Sequence, residues 1–161
     1  MTTSMANPNA KHQPISREAV ASVNQVVADS MRRWNLSERL YRVSVPAYQY
    51  SPADWIDHAF YGVEDPDLNA VIVLSIIDEV VKVSGRATLI HGLYVKRACQ
   101  GQGYGRALIE VAQTWARSQK TNGLFIRAHA SAVGYFEHLG FEQQPVRDPE
   151  RDYPHRMWRP N

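Results

Sequence analysis

The most chemically informative stretch of this sequence is a glycine-rich segment at the start of an amphipathic helix. Three glycines fall within five positions in the run Gln100, Gly101, Gln102, Gly103, Tyr104, Gly105 and Arg106. Glycine costs a helix about 0.5–1 kcal/mol relative to alanine, so its use here calls for a reason. The first amides of a helix have no intrahelical partner and carry partial positive charge. Glycines let a phosphate approach these amides closely, so the segment predicts a phosphate-binding site.

The spacing of the glycines excludes two common nucleotide-binding motifs. A P-loop requires Gly-Lys-Ser/Thr, whereas Arg106 and Ala107 follow Gly105 here. A dinucleotide-binding loop has the pattern G-x-G-x-x-G after the first strand of its unit. The glycines here lie at 101, 103 and 105, after the predicted fourth strand. A tight strand-to-helix connection without a ligand is the alternative interpretation.

The segment resembles the Gln/Arg-x-x-Gly-x-Gly/Ala signature of the GCN5-related N-acetyltransferase superfamily. Its context is also similar to that family, because "LYV" at 93–95 ends the preceding predicted strand. The later stretch "YFEHLGF" at 135–141 resembles the family's "FYEKLGF", and Ala132 matches the alanine before it. The resemblance covers about residues 59 to 142.

The resemblance implies a mixed, mostly antiparallel sheet that is splayed between its fourth and fifth strands and flanked by helices. It implies acetyl-CoA as cosubstrate and no metal. The amides of 100–105 would hold the pyrophosphate, and the backbone of residues 93–95 would pair with the pantetheine arm. The amide of Leu93 or Tyr94 would donate to the thioester oxygen, an interaction worth about 100- to 1000-fold in rate. The implied cofactor-binding residues are Leu93, Tyr94, Val95, Gln100, Gly101, Gln102, Gly103, Tyr104, Gly105, Arg106, His129 and Phe136.

The chain departs from the family's pattern at the residue expected to act as the general acid. Phe136 stands where relatives carry the tyrosine proposed to protonate the leaving thiolate, and Tyr135 lies roughly 100° away around a helix. A thiol of pKa about 8.5 leaves tolerably as a thiolate near neutral pH. Solvent, Tyr94 or Tyr135 could therefore supply the proton, and Tyr135 is the residue we assign.

A second departure is His129, which stands where relatives usually carry an asparagine that hydrogen-bonds the cofactor arm. A neutral imidazole keeps one donor and one acceptor, so it replaces that amide in part. The alternatives are a base and a histidine that caps the following short helix.

An amine must lose a proton before it can attack, and His91 is the first candidate for the base. His91 alternates with Leu89 and Leu93 along the predicted strand, close to where relatives place an acidic base. The alternative is that His91 is a half-buried structural histidine. Asp78 and Glu79 are further candidates for the base; the alternative is that they are solvated turn residues. Tyr153, His155 and Trp158 are expected to border the acceptor site, because the family's last strands often do so.

The expected function is transfer of an acetyl group from acetyl-CoA to a primary amine of a small molecule or protein, by direct attack. No Cys or Ser lies in a recognisable nucleophile arrangement, and Cys99 is interpreted as a loop residue. The alternative is a non-catalytic acyl-CoA-binding sensor or partner module. A different acyl group or an oxygen acceptor is a third hypothesis.

The elements that must position these residues follow from the pattern of apolar residues. A helix is predicted over 16–34 with Ser16 as its N-cap, and an edge strand over 40–50, since Pro46 lacks a ladder donor. A short helix at 51–58 precedes a hairpin formed by 59–63 and 70–77. The strand at 86–95 follows a connection that turns at Gly85.

The helix after the glycines is the clearest element. Its predicted apolar stripe comprises Tyr104, Ala107, Leu108, Val111, Ala112 and Trp115. Its predicted outward face comprises Arg106, Glu110, Gln113 and Arg117, and "NG" at 122–123 should end it. The α/β domain is completed by a strand at 124–130, a helix within 131–141 and a strand at 153–158. Gly140 is expected to close that helix, with Phe141 folded back onto Phe136.

Composition indicates a single soluble domain. The chain has 161 residues, 44% of them hydrophobic, a formal net charge of +2 and one cysteine. Residues 1–14 are predicted to be a flexible polar arm and 15–161 the domain. Scattered basic residues argue against nucleic acid as the main partner, and no apolar run spans a membrane. We expect a cytoplasmic protein, and the family resemblance is compatible with a homodimer.

Overall fold

A computed structural model of the chain describes residues 12–78, 85–146, 148–150 and 154–161. Within them the helices are α1 (Val20–Met31), α2 (Glu38–Tyr48), α3 (Tyr104–Ser118) and α4 (Val133–His138). The strands are β1 (His12–Pro14), β2 (Ala59–Glu64), β3 (Leu68–Ile77), β4 (Ala87–Val95), β5 (Gly123–Arg127), β6 (Glu142–Gln143) and β7 (Arg156–Pro160). Short 3₁₀ helices lie at Arg17–Ala19, Arg32–Trp34, Pro52–Ile56, Arg97–Cys99 and Ala130–Ala132.

Seven strands form one sheet in the order β1-β2-β3-β4-β5-β7-β6. Strands β4 and β5 are parallel, with residues 88–90 opposite 124–126. A parallel pair needs a crossover connection, and α3 supplies it. The pairs β1-β2, β5-β7 and β6-β7 are antiparallel. The predicted mixed α/β fold with flanking helices is confirmed.

The chain divides into two compact units. Unit 1 comprises Met1–Val73 and Gly92–Ile109, and unit 2 comprises Leu74–His91 and Glu110–Asn161. Residues 1–11 of the predicted N-terminal arm lie outside the described residues. The end of that arm, His12–Pro14, pairs with β2 as strand β1. A single domain over 15–161 stays a prediction.

The predicted helix at 16–34 is present as α1 with a 3₁₀ turn at each end. Its apolar residues Val23, Val26, Val27 and Met31 are fully buried in the core of unit 1. The predicted cap is wrong in one respect, because Ser16 occupies the N-cap position but its side chain makes no capping hydrogen bond. The helix is therefore stabilised mainly by burial of its apolar face.

The predicted edge strand at 40–50 is wrong, because this segment forms α2. The Ser37 side chain accepts a hydrogen bond from the amide of Leu40 at 3.2 Å and caps the helix. Partly buried Tyr41, Val45 and Tyr48, at helical spacing, pack against the core of unit 1. Pro46 lies inside the helix rather than at a sheet edge.

The predicted hairpin is present as β2 and β3, and residues 70–74 of β3 are all buried, as the continuous apolar run indicates. The predicted short helix is a 3₁₀ helix, Pro52–Ile56. Its Trp55 stacks on Phe60, with ring centroids 3.6 Å apart, and donates to the carbonyl of Ile15 at 2.8 Å. Trp55 therefore connects the 3₁₀ helix to β2 and to the residue that follows β1.

Two details of α3 differ from the prediction. Gln113, predicted to face outward, is buried and donates to the side chain of Asn161. The helix ends at Ser118 rather than at 122–123, since Lys120 adopts a left-handed conformation with φ 58°. The amides of Lys120 and Thr121 bond the carbonyls of Arg117 and Ala116, a Schellman arrangement. The predicted outward positions Arg106, Glu110 and Arg117 are exposed.

The predicted closure of α4 is confirmed. Gly140 has φ 90°, and its amide bonds the carbonyl of Glu137 at 3.0 Å. The amide of Phe141 bonds the carbonyl of Phe136 at 3.0 Å, and the two rings meet edge to face at 5.4 Å. Among the described residues, none of the helices combines the length and apolar character that a bilayer crossing would need.

Candidate functional site

The glycine loop, defined here as residues 96–105, connects β4 to the first turn of α3. Gly101 and Gly103 have φ of 76° and 86°, a conformation that residues with a Cβ rarely adopt. A Cβ on either would meet no protein atom within 4 Å. The amide of Ala107 makes the first intrahelical bond, to Gly103 at 3.0 Å. The amides of 104–106 precede that bond, at the positions where the first turn of a helix supplies no intrahelical acceptor.

The side chain of Gln100, the first residue of the sequence motif, stabilises the loop internally. Its Nε2 donates to the carbonyl of Val95 at 3.0 Å, and its Oε1 accepts from the Arg33 guanidinium. Both ends of the carboxamide are therefore engaged with protein groups. Gln100 therefore supports the conformation of the loop through its side chain.

A second connection joins α1 to the start of the loop. The Asp29 carboxylate accepts the backbone amide of Arg97 at 2.7 Å and the Arg97 guanidinium at 3.3 Å. The amide of Lys96 bonds the carbonyl of Asn69 on β3 at 2.9 Å. The first two residues of the loop are thus bonded to α1 and to β3, all within unit 1.

The strand before the loop is anchored by a buried tyrosine pair. The Tyr94 ring lies over Gly92, where a Cβ would come within 2.7 Å of its hydroxyl oxygen. The Tyr50 hydroxyl bonds that of Tyr94, and burial raises the pKa of both phenols. Asn24 in turn binds the backbone of Tyr50 at 2.8 and 2.9 Å. A buried phenol of raised pKa is a poor acid, so this geometry favours an anchoring role for Tyr94.

Comparison with known proteins identifies the family of this chain. The model of the acetyltransferase (GNAT) family matches residues 28–141. The chain belongs to this family. No curated protein matches the sequence.

Solved GNAT structures share the fold at low sequence identity. The PaiA N-acetyltransferase of Thermoplasma acidophilum, solved with coenzyme A, is 15% identical, with a TM-score of 0.75 over 95% of this chain and 99% of that one. A GCN5-related N-acetyltransferase of Ralstonia eutropha is 14% identical, with a TM-score of 0.68 over 89% and 98%. The aminoglycoside 6'-N-acetyltransferase AAC(6')-Ig of Acinetobacter haemolyticus is 18% identical, with a TM-score of 0.62 over 84% and 93%.

Unit 1 of this GNAT chain contains all of the predicted loop residues together with residues 93–95 of β4. Leu93 and Val95 are half-buried and Tyr94 is buried, so the two faces of this strand end differ in exposure. Gln102 donates to the carbonyl of Ala98 at 3.3 Å, a further contact within the loop. Arg106 is exposed on the first turn of α3.

Unit 2 contains the predicted acid, base and arm-binding side chains. His91 is exposed on β4, two residues after buried Leu89. Tyr135 is 46% exposed and meets the buried Phe136 ring edge to face at 5.3 Å. His129 is exposed at the N-cap of the 3₁₀ helix Ala130–Ala132, and its side chain makes no capping bond. The capping alternative for His129 is therefore wrong.

The residues expected to border the acceptor site are only partly described. Trp158 is buried against Leu89 and Phe125 in the core of unit 2. His155 is half-buried, and its backbone carbonyl accepts the amide of Ala128 at 2.9 Å. Tyr153 and the alternative base Glu79 lie outside the described residues, and Asp78 is exposed at the end of β3.

The single cysteine is interpreted as a loop residue. Cys99 is half-buried in the glycine loop, and burial raises the pKa of its thiol. A raised pKa lowers the thiolate fraction and hence the reactivity of the side chain. The geometry therefore gives no support for a cysteine nucleophile.

The sequence reasoning missed Asp29, Arg33 and Tyr50 as residues that support the site. Asp29 and Arg33 are four apart on one helical face at the end of α1, a spacing that the sequence does display. Their partners lie 68 and 67 residues away along the chain. Only the tertiary structure connects the two segments.

Proposed function

We propose that this GNAT protein transfers an acetyl group from acetyl-CoA to a primary amine by direct nucleophilic attack. The observation that carries the proposal is the glycine loop, in which Gly101 and Gly103 have positive φ and an added Cβ on either would meet no protein atom within 4 Å. A diphosphate bound there would accept from the amides of 100–105, of which that of Gln100 also bonds the carbonyl of Arg97 at 3.4 Å. Residues 93–95 would pair with the pantetheine arm, and the exposed Arg106 would favour the anion. His129 and Phe136 are the remaining proposed arm contacts.

The proposed chemistry assigns one role to each reacting group. The neutral amine nitrogen attacks the thioester carbonyl carbon after His91 takes its proton, and the amide of Leu93 donates to the oxyanion. The C–S bond then breaks, and the nitrogen, positively charged after the attack, loses its second proton to solvent. Tyr135, which is 46% exposed whereas Tyr94 is buried, supplies the proton that completes the coenzyme A thiol and regains one from solvent. The products are an N-acetyl amine and free coenzyme A.

A thiol-release assay with acetyl-CoA and a panel of amines tests the proposal, and mass spectrometry of the acceptor identifies the bond formed. The panel covers amino acids, polyamines, aminoglycosides, a lysine peptide and a peptide with a free N-terminus. Acetylation of at least one amine is the expected result. Tight binding of acetyl-CoA with no turnover across the panel would contradict it and favour the sensor, which Phe136 in place of a tyrosine supports.

The order of the chemical steps is tested with the single cysteine. Direct attack predicts that Cys99→Ser keeps kcat within about twofold, because no acyl-enzyme forms at a residue of raised pKa. Initial-rate patterns should intersect. Parallel patterns, or an acetylated protein isolated without acceptor, would indicate a covalent intermediate. Formation of a homodimer stays a prediction, which sedimentation of the same sample tests.

A further inference from the structure

We propose that Asp29 and Arg33, at the end of α1 and in the 3₁₀ turn that follows, are positioning residues for the glycine loop. Neither belongs to the glycine loop, and both contact it through polar side-chain atoms. The inference rests on the proposed binding of coenzyme A by that loop. It adds a part of the molecule that sets the loop's conformation before the ligand arrives.

Asp29 binds the second residue of the glycine loop, Arg97. Its Oδ2 takes the backbone amide of Arg97 at 2.7 Å, a length typical of a charge-assisted bond. Its Oδ1 lies 3.3 Å from the Arg97 guanidinium. One carboxylate therefore fixes both the backbone and the side chain of Arg97, two residues after β4 ends.

Arg33 controls the middle of the loop through Gln100. The guanidinium donates to Gln100 Oε1, which turns Nε2 of the same carboxamide toward the carbonyl of Val95. Because Gln100 immediately precedes Gly101, this bond constrains the residue at which the chain enters its first positive-φ position. Loss of Arg33 would free the carboxamide to rotate.

Charge supports a positioning role over direct ligand contact for Asp29. A carboxylate next to a diphosphate would repel it, whereas the Arg97 guanidinium neutralises Asp29 at 3.3 Å. The two side chains are 33% and 54% exposed, so each contact is modest in strength and its effect lies in the geometry it selects. A loop that is already ordered binds with a smaller entropic cost.

The test separates the two halves of the ligand. Adenosine 3'-phosphate 5'-diphosphate carries the diphosphate and lacks the arm, and acetyl-pantetheine carries the arm and thioester and lacks the diphosphate. Isothermal calorimetry measures the nucleotide half and coenzyme A, and thiol release measures turnover of acetyl-pantetheine. The variants are Asp29→Ala, Asp29→Asn and Arg33→Ala.

Arg32→Ala is the matched control. Arg32, next to Arg33 in sequence, binds Glu38 at 2.8 Å and lies 3.5 Å over the Tyr41 ring. Its removal perturbs the same turn, and in the part of the chain that the structure describes the Arg32 side chain contacts Glu38 and Tyr41 rather than the glycine loop. We expect its affinity for both coenzyme A and the nucleotide half to stay within about twofold of the parent.

Asp29→Ala and Arg33→Ala should each weaken coenzyme A and the nucleotide half by the same factor, about tenfold, typical for loss of one charge-assisted hydrogen bond. Turnover of acetyl-pantetheine should fall by a smaller factor than nucleotide binding, because these residues reach the arm-binding strand only through Gln100, which bonds the Val95 carbonyl. Asp29→Asn keeps an oxygen that accepts the Arg97 amide, so its affinity should return to within about threefold. KM for acetyl-CoA should rise in the alanine variants while kcat stays constant.

Three results distinguish the possible failures. If the parent protein binds neither coenzyme A nor the nucleotide half, the proposed function itself fails. If the parent binds both and the alanine variants bind them equally well, the positioning role is wrong. If acetyl-pantetheine turnover falls as much as nucleotide binding, or Asn does not restore affinity, the residues support the whole fold rather than the loop, and the proposal is also overturned.

Discussion

The glycine loop and the pair formed by His91 and Tyr135 present their chemistry in different ways. The loop offers backbone amides, which nearly every residue carries, and it needs only Gly101 and Gly103 in a left-handed conformation. The pair offers side chains, whose type and direction must both be right. His91 and Tyr135 are exposed and lie on different elements of unit 2.

This difference bears on what low sequence identity preserves. The Thermoplasma acidophilum structure superposes with a TM-score of 0.75 at only 15% identity, so the fold is shared although most side chains differ. A backbone site would survive most side-chain changes, whereas a side-chain acid is lost by one substitution, as the family resemblance implies at Phe136. On our proposal the chain therefore keeps its ligand loop while proton transfer is reassigned to Tyr135.

The largest expected effect comes from changing the loop's backbone conformation. Gly103→Val should weaken coenzyme A binding about 100-fold or more, because a β-branched residue resists φ 86° and its side chain occupies the open space. Calorimetry measures the affinity. Gly134→Ala is the control, since Gly134 lies in α4 with no atom within 4 Å of an added Cβ. Unchanged affinity in Gly103→Val would contradict the loop's role.

The base assignment predicts the next largest effect. His91→Ala should lower kcat about 100-fold and remove the acidic limb of the pH profile. The sign follows from the role: a base must be unprotonated, so the parent's activity should fall as the pH drops and the imidazole takes up a proton. His138→Ala, an exposed histidine of α4, is the control. An unaltered pH profile for His91→Ala would mean that another group takes the proton.

The acid assignment predicts a smaller effect, because a thiolate of pKa about 8.5 is already a tolerable leaving group. Tyr135→Phe should lower kcat about tenfold with little change in stability, since the residue is 46% exposed and the ring is kept. Phe136→Tyr should not add an acid: the ring is 5% exposed and packed on Phe141, so an unpaired hydroxyl there costs about 1–3 kcal/mol. Faster turnover in Phe136→Tyr would instead place the family's usual acid at that position.

How far the sequence predicts the molecule depends on whether an interaction is local. The closure of α4 by Gly140 and Phe141 was predictable, since its residues are neighbours in sequence. The segment 40–50 was not, because Tyr41, Val43 and Val45 also fit a strand alternation. The structure buries Tyr41, Val45 and Tyr48 in part and leaves Val43 69% exposed. Tertiary packing decided between the two periods.

The same limit applies to the candidate site. The glycines and the residues of β4 were predictable because their spacing is a local pattern. The bonds from Asp29 to Arg97 and from Arg33 to Gln100 join segments 68 and 67 residues apart. Gln113 was misassigned for a similar reason, since Asn161 returns to it from the end of the chain.

The smallest expected effect is on the free energy of unfolding, and it tests the cost of a positive φ at a residue outside the proposed ligand site. Lys120 closes α3 with φ 58°, in the position that glycine fills at Gly140 of α4. Lys120→Gly should therefore raise the free energy of unfolding by about 0.5–1 kcal/mol, because glycine adopts this conformation without steric cost. Urea denaturation measures it, and Lys120→Ala, which keeps the Cβ, should give no gain. If glycine and alanine have equal effects, φ at this position carries little strain, and the argument from φ at Gly103 would then rest on the occupied space alone.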